Sequence, residues 1–592
     1  MPPVAPLRDR ITREVLPRVQ LPGQYIGGEL NAVVKDHAAV RGTLCLAFPD
    51  AYTIGMSHHG LQVLYAVMNR RDDWACERVF APLPDMERLL RDLHLPLYSL
   101  ESFTPLGQFD VVGFTLQYEL CATNVLAMLD LAGIPRHAER REAGHPLVIA
   151  GGPCTANPEP LAPFIDLFVV GDGEESLPAV CDGWLAARQR GGSRMEQLAT
   201  LAASLPYVYV PSLYRPAGRG AAEPIRPEAR ALIEPAVVDD LDAAPLPTRP
   251  IVPVVESVQD RITIEIMRGC PARCRFCQSN PLKRPLRHRR VETIVRAAVE
   301  AYENTGYNVV ALLSLSTSDY PHFDELLARL SAEFLPRGVS ISLPSLRVNA
   351  QWHTVAERLG TFRHSGLTVA PEAARDPLRR RIGKQLANAD VFEGCRRAFA
   401  SGFHRVKLYF MCGLPGETAA DLDGIVDMAE EIARLGKQVR GRWPTVVANV
   451  SNFVPKPQTP FQWNAMQRSD YFAAAHDHLR RRLRLRAVQL RCHDTRTSLL
   501  EAVLARGDRG VARAIELAYE RGARLDAWTD HFQPAVWSEA IREAGIDLEH
   551  LLHRPRAVEA ALPWDHIAIR QGRPYLEREQ AQAALCESER PA

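Results

Sequence analysis

A repeated alternation restricts this chain most. Short apolar runs of strand type are separated by longer stretches whose apolar residues recur at helical spacing. "GTLCLAFPD" (42–50), "FDVVGFTLQ" (109–117), "PLVIAGGP" (146–153) and "LFVVGDGE" (167–174) read as strands. "HGLQVLYAVMNRR" (59–71) and "ELCATNVLAMLDLAG" (119–133) read as helices. Such alternation calls for a parallel, doubly wound sheet with helices on its faces. A second series follows, with strands at "ITIEIM" (262–267), "VVALLSLS" (309–316), "VSISLPS" (339–345), "LTVAPE" (367–372), "RVKLYFM" (405–411) and "VVANVSNFV" (446–454). Six β/α units in succession fit a partial or full β/α barrel. The expected fold class is therefore α/β. A helical extension covers 1–25 and a Rossmann-like domain 26–185. A linker with short strands covers 186–255, the barrel 256–484, and a mainly helical region 485–592.

Composition excludes several classes. Of 592 residues, 46% are hydrophobic and 24% charged, which are ordinary globular values. The formal net charge of +1 announces no polyanionic partner. Arg clusters at 287–290, 379–381 and 480–482 read as solvated helix faces rather than phosphate contacts. No window approaches the length of an apolar membrane span. The N-terminus is charged throughout and has no signal-peptide core. Twelve cysteines are scattered, and only Cys270, Cys274 and Cys277 cluster, which is not a disulfide framework. The expected compartment is the cytoplasm.

Those three cysteines lie in "IEIMRGCPARCRFCQSNP" (264–281) with no fourth nearby. Structural zinc wants four protein ligands. His288 could complete such a set, but it sits in the cation-rich run "RPLRHRR". A cubane iron–sulfur cluster held by three thiolates instead leaves one iron open. The cysteine loop directly follows the first strand of the second series, and barrel chemistry sits on loops after strand C-termini.

Cys-x3-Cys-x2-Cys after a first strand, with Phe276 before the third cysteine, resembles the radical S-adenosylmethionine (SAM) superfamily. "LSLSTSDY", "TVAPEAARDPLRRRIGK", "KLYFMCGLPGET" and "NFVPKPQTPFQW" are similar to that family's later strand motifs, in the right order. The resemblance implies a 4Fe–4S cluster on Cys270, Cys274 and Cys277, with SAM bound at the open iron. It also implies cleavage of SAM to a 5′-deoxyadenosyl radical, and an electron donor such as flavodoxin or ferredoxin. Ser314, Ser316, Thr317 and Glu372 are the candidate SAM contacts.

"VIAGGPCTANPEPLAPFIDLFVVGDGEESL" resembles the second half of cobalamin-binding domains fused to radical SAM barrels. No GxGxxG opens a helix, so NAD and FAD are not expected. The resemblance implies cobalamin contacts among Thr115, Gln117, Gly151, Gly152, Pro153, Gly171, Gly173 and Glu174. The D-x-H-x-x-G signature that gives a histidine to cobalt is missing. His58 and His59 stand at the wrong spacing and read as solvent or core residues. The expected reaction is methylation or rearrangement of an unactivated carbon in an RNA, a protein or a small molecule. A radical SAM enzyme without functional cobalamin, similar to methylthiotransferases, and a non-catalytic cobalamin- or cluster-binding regulator are the alternatives. Cys412, beside the "GLPGE" turn, is a candidate catalytic residue, although free cysteines are usually core residues.

Overall fold

The computed structural model describes residues 6–217, 220–343 and 366–588. The N-terminal part is built on β1 (Gly42–Phe48), β2 (Trp74–Phe80), β3 (Val111–Thr115), β4 (Leu147–Gly151), β5 (Leu167–Val169) and β6 (Val208–Tyr209). Their order is β2-β1-β3-β4-β5-β6. All pairs are parallel except β5–β6, where "YVYV" closes the edge antiparallel. The order reverses between β1 and β3. That is the topological switch point at which open α/β sheets of this order leave a crevice beyond the strand ends.

β2 escapes sequence reading because Glu77 and Arg78 stand in its middle, which argues against a buried strand. Both are 1% exposed. Glu77 is met by His37 and by the Ser102 hydroxyl, each at 2.7 Å. Arg78 reaches Glu101 at 2.6 Å and Glu29 at 3.2 Å. Buried charge is tolerated here because each group is paired and hydrogen-bonded.

A hairpin of β7 (Tyr214–Ala217) and β8 (Ala221–Pro224) leads into a segment without strands. That segment is nonetheless anchored. Ala236 bridges Gly171, and Ile233 bridges Ile567 near the C-terminus.

The second part is parallel as expected, in β9 (Ile262–Glu265), β12 (Val309–Leu313), β13 (Ser340–Ser342), β14 (Leu367–Glu372), β15 (Arg405–Cys412), β16 (Thr445–Asn452) and β17 (Val488–Cys492). They form two sheets, β13-β12-β9 and β14-β15-β16-β17. A short antiparallel pair, β10 (Met267–Arg268) with β11 (Arg287–His288), brackets the cysteine loop. β17 adds a seventh unit to the six anticipated. The last two residues of the expected strand 339–345 lie outside the described residues.

The barrel strands bury one face only. Along β15, Val406, Leu408, Phe410 and Cys412 are buried under the helices, while Arg405, Lys407, Tyr409 and Met411 face the other way and are more exposed. Helices cover the outer face, chiefly Asn388–Ala400 and Ala419–Arg440. The inner face opens onto a lumen.

C-terminal helices at Thr495–Arg506, Val511–Glu520, Pro534–Glu543 and Arg573–Ser588 hold the two parts together. Val511–Glu520 packs on the N-terminal helix Ala122–Leu131. Lys456 of the barrel lies between Glu119 of the N-terminal part at 2.8 Å and Glu501 at 2.7 Å. Among the described residues no helix is long and apolar enough to cross a membrane.

Candidate active site at the barrel mouth

The cysteine loop leaves the C-terminal end of β9 through Gly269. Its φ is +93°, and a Cβ there would lie 2.8 Å from the Lys283 carbonyl oxygen and 3.2 Å from the Leu286 Cα. Only glycine fits both the dihedral and the space. Cys274 is buried, and Cys270 and Cys277 are partly exposed. The Cys277 N–H donates to the Cys274 carbonyl at 3.2 Å. Burial raises the Cys277 thiol, and the charges of Cys270 and Glu372 raise it further, against backbone hydrogen bonds from Asn280 and Ser279.

Among the described residues, no three His, Cys, Asp or Glu side chains converge on a point that would hold a single metal ion. A cubane cluster does not need such a point, because each thiolate takes a different iron. A zinc knuckle does need it. His288 stands exposed on β11, its ring edge-on to Tyr320 and tilted near His322.

The loop is braced from two sides. The Arg275 N–H donates to the Ile382 carbonyl at 2.9 Å. Its guanidinium donates to the Arg381 carbonyl at 2.7 Å and to Glu579 of the last helix at 3.0 Å. Gly383, at φ +71°, lets that strand of chain approach, since a Cβ would sit 2.6 Å from the Arg273 carbonyl oxygen. Phe276 packs beside Met411 against a small core of Leu378, Ile382, Leu414, Phe453 and Phe461.

Glu372 ends β14 at φ +67°, a left-handed conformation that is unusual for a residue with a Cβ. Burial raises its carboxyl, with Lys384 at 3.5 Å opposing that rise. Ser314, Ser316 and Thr317 lie in the turn after β12. Their hydroxyls turn inward: Ser314 Oγ is 3.0 Å from Thr317 Oγ1, and Ser316 Oγ donates to Asp319 at 2.5 Å. The residues of this turn that face outward are apolar, with Leu313 36% and Leu315 44% exposed.

The N-terminal turns divide into two groups. Gly152, at φ +106°, passes close under the Leu116 carbonyl, with the Gln117 amide nitrogen 3.2 Å from where its Cβ would be. Thr115 pairs with Gly151 at the ends of β3 and β4. Gly152, Pro153 and Gly171 line a cavity whose far wall is Pro281–Arg284, just past the third cysteine, and Ile567–Arg570. Gly173 and Glu174 do something else. A Cβ on Gly173 would sit 2.7 Å from the Leu64 side chain, so this glycine admits the helix His59–Asn69. Glu174 takes Arg268 at 2.5 Å. Arg268, two residues before Cys270, also reaches Asp172 at 3.1 Å and Glu265 at 2.8 Å, and Arg287 reaches Asp172 at 2.7 Å. Sequence reading missed this network, because its partners lie 94 residues apart and no local pattern joins them.

His58 caps its helix by accepting from the Leu61 N–H at 3.1 Å and is held near Gln117; burial lowers it to about 4. Burial also lowers His59 to about 4. Cys412 lies on the buried face of β15, not the lumen face. Its sulfur is 3.5 Å from Asn452 Oδ1 and 3.7 Å from His476 Nε2, and burial raises the thiol. Cys45, Cys76, Cys121 and Cys181 are buried in N-terminal strands and helices, and Cys154 is half-buried, so they do not gather into a second cluster loop.

Known proteins match this layout in two places. Residues 60–211 match the family model "Radical SAM proteins, N-terminal", and residues 264–429 match "Radical SAM superfamily". An uncharacterised protein of Methanocaldococcus jannaschii is 26% identical over 469 residues, covering 76% of this chain and 92% of its own. The ribosomal-protein methylthiotransferase RimO of Solibacter usitatus is 26% identical over 240 residues, covering 36% of this chain and 50% of its own. Among solved structures, the radical SAM methyltransferase TsrM from Kitasatospora setae, with cobalamin and a 4Fe–4S cluster bound, is similar at 15% identity and a TM-score of 0.49. It covers 92% of this chain and 100% of that one. The two family models fall on the N-terminal sheet and on the β/α series that opens with the cysteine loop, and the protein belongs to the radical SAM superfamily.

Proposed function

We propose that this protein is a radical SAM enzyme that holds a 4Fe–4S cluster on Cys270, Cys274 and Cys277, and that methylates or rearranges an unactivated carbon with the help of cobalamin. One observation carries the reading: three cysteines sit on a loop shaped by Gly269 and Gly383 at the mouth of a barrel whose inner face is open. When bound, the cluster with SAM would supply a 5′-deoxyadenosyl radical, and cobalamin would supply a methyl carrier.

The chain's own residues position and shield. Arg275 fixes the loop to the β14–β15 connection and to the last helix. Glu372 and Lys384 stand at the end of β14 as a polar pair for SAM. The turn at Ser314–Thr317 uses its hydroxyls internally, so what it offers a SAM amino group is backbone. Leu313 and Leu315 offer an apolar wall, and Phe276 with Met411 keeps water from the cluster side. Gly152, Pro153 and Gly171 border the small cavity between the N-terminal sheet and the segment after the cysteines. Lys283 and Arg284 on the far wall put two cations beside that seam, where cobalamin bound between the two parts would lie.

A second reading has its own support. Gly173 is taken up by packing against Leu64 and Glu174 by Arg268 of the barrel, which leaves fewer N-terminal groups for cobalamin. This favours a radical SAM enzyme that works without it.

Anaerobic reconstitution separates the readings. The wild-type chain should retain one cubane cluster and cleave SAM to 5′-deoxyadenosine under a strong reductant, and Cys274→Ala should lose both. Failure of the wild-type chain to cleave SAM removes the enzymatic reading. Cobalamin should copurify or bind on addition; an intact cluster that never retains cobalamin leaves the second reading standing.

A further inference from the structure

The lumen face of β14–β17 carries two cations, Lys407 and Arg491, that no described carboxylate pairs with. Strand pairing puts Tyr409, Asn449 and Arg491 in one row, and Thr368, Lys407, Val447 and Gln489 in the next. Paired residues of a parallel sheet share a face. Tyr409 is 39% exposed, and Gln489 and Arg491 are exposed. Arg405 lies one pleat below Lys407, and its Nε is buried without a hydrogen-bond partner. Lys407 and Arg491 make no salt bridge with any described residue, whereas Arg268 and Arg287 each find a carboxylate. These four strands hold one carboxylate, Glu372 at the end of β14, and Lys384 already engages it. Glu265, across the lumen on β9, is held by Arg268.

An ordinary β/α barrel fills its interior with branched apolar side chains. This one carries two cations, Lys407 and Arg491, in adjacent rows of its partly open inner face. A guanidinium and an ammonium that reach the same space suit an oxyanion. The buried Arg405 nitrogen is a donor left waiting for an acceptor. Strands lie about 4.8 Å apart, so Tyr409 and Arg491 stand about 10 Å apart across Asn449. That span admits one small anionic group and an attached body.

We propose that the lumen binds the anionic end of the substrate, a phosphate or carboxylate group held by Lys407 and Arg491 with Tyr409 beside it, so that the body of the substrate points up toward the cluster. This rests on the radical SAM reading and names the class of substrate it acts on.

The test uses the reconstituted, SAM-loaded full chain. Calorimetric titration with inorganic pyrophosphate, and separately with citrate, is done at matched ionic strength. Saturable one-site binding of at least one of them is expected. Arg491→Gln and Lys407→Gln should each weaken it about tenfold or more, because each removes a charge-assisted hydrogen bond. Arg442→Gln, an exposed arginine outside the lumen, should bind as the wild type does. Saturation by pyrophosphate alone identifies a phosphate-bearing substrate, and by citrate alone a carboxylate. No saturation by either, or equal weakening by Arg442→Gln, overturns the proposal. SAM cleavage is followed in the same samples. Cleavage without anion binding removes the lumen site and leaves the radical SAM reading. Anion binding without cleavage does the reverse. Should Lys407→Gln not fold, Arg491→Gln on the edge strand carries the test alone.

Discussion

The two parallel sheets of this protein treat their faces differently. β1 and β2 are buried along their whole length on both faces, and β3 likewise. β14, β15 and β16 bury one face and leave the other partly open. A parallel sheet normally reads as a continuous apolar run because helices cover both sides. Where the pattern alternates instead, one side faces space. The N-terminal sheet is thus a closed support, and the room for chemistry lies in the barrel and at the strand ends between the two.

If that contrast is right, the contacts joining support to barrel should carry stability, and the barrel mouth should carry chemistry. Arg268 is the strongest link. Arg268→Met leaves Glu174, Glu265 and Asp172 without their shared cation. Breaking one partner out of such a buried network costs about 3–5 kcal/mol. Urea unfolding should show that loss, and an unchanged midpoint would break the comparison.

Gly383 tests the mouth. A Val side chain there would collide with the Arg273 carbonyl and force an unfavourable φ, at a cost of about 1–3 kcal/mol. Because the collision displaces the cysteine loop, iron retention after reconstitution should fall more steeply than the melting temperature.

Glu417 sharpens the picture of the barrel's outer layer. It accepts from the Gly413 N–H at 2.8 Å and from the Tyr471 hydroxyl, and burial pushes its carboxyl up from 4.5 to about 7. The folded state therefore holds a proton that the unfolded chain releases. The stability this contributes is full below pH 4.5 and is lost as pH rises through about 7. Glu417→Gln should flatten that decline by about 2 kcal/mol between pH 5 and pH 7.5, read from urea curves at the two values. An unaltered slope would show that the carboxyl ionises normally.

The smallest effect is expected at Cys412. On the buried face of β15 it supports packing, so Cys412→Ala should cost about 1 kcal/mol and leave SAM cleavage at the wild-type rate. A large loss of cleavage with an intact cluster would move it into the chemistry.

Much of this was legible in the sequence. The cysteine spacing and the strand preceding it located the barrel mouth, since both are local patterns. Strand positions from Gly42 to Asn452 followed from apolar runs and their flanking glycines. What stayed hidden depended on distant partners. β2 was obscured by Glu77 and Arg78, whose burial makes sense only once His37, Glu29 and Glu101 are in place. β17 was missed because "VQLRC" alternates and carries a charge, as a strand with one face on an open lumen should. The glycine turns looked alike in sequence. Only packing separates Gly152, which borders a cavity, from Gly173, which makes way for Leu64.

The position of Arg268 has a consequence for how this chain can be taken apart. The residue that ties the first barrel strand to the N-terminal sheet is also the doorpost of the cysteine loop, with only Gly269 between it and Cys270. A barrel produced on its own would lose Asp172 and Glu174 and would carry a loose cation at its entrance. The barrel and the N-terminal sheet are thus not interchangeable modules. Any lineage or engineer that swaps one must rebuild the hinge post of the other.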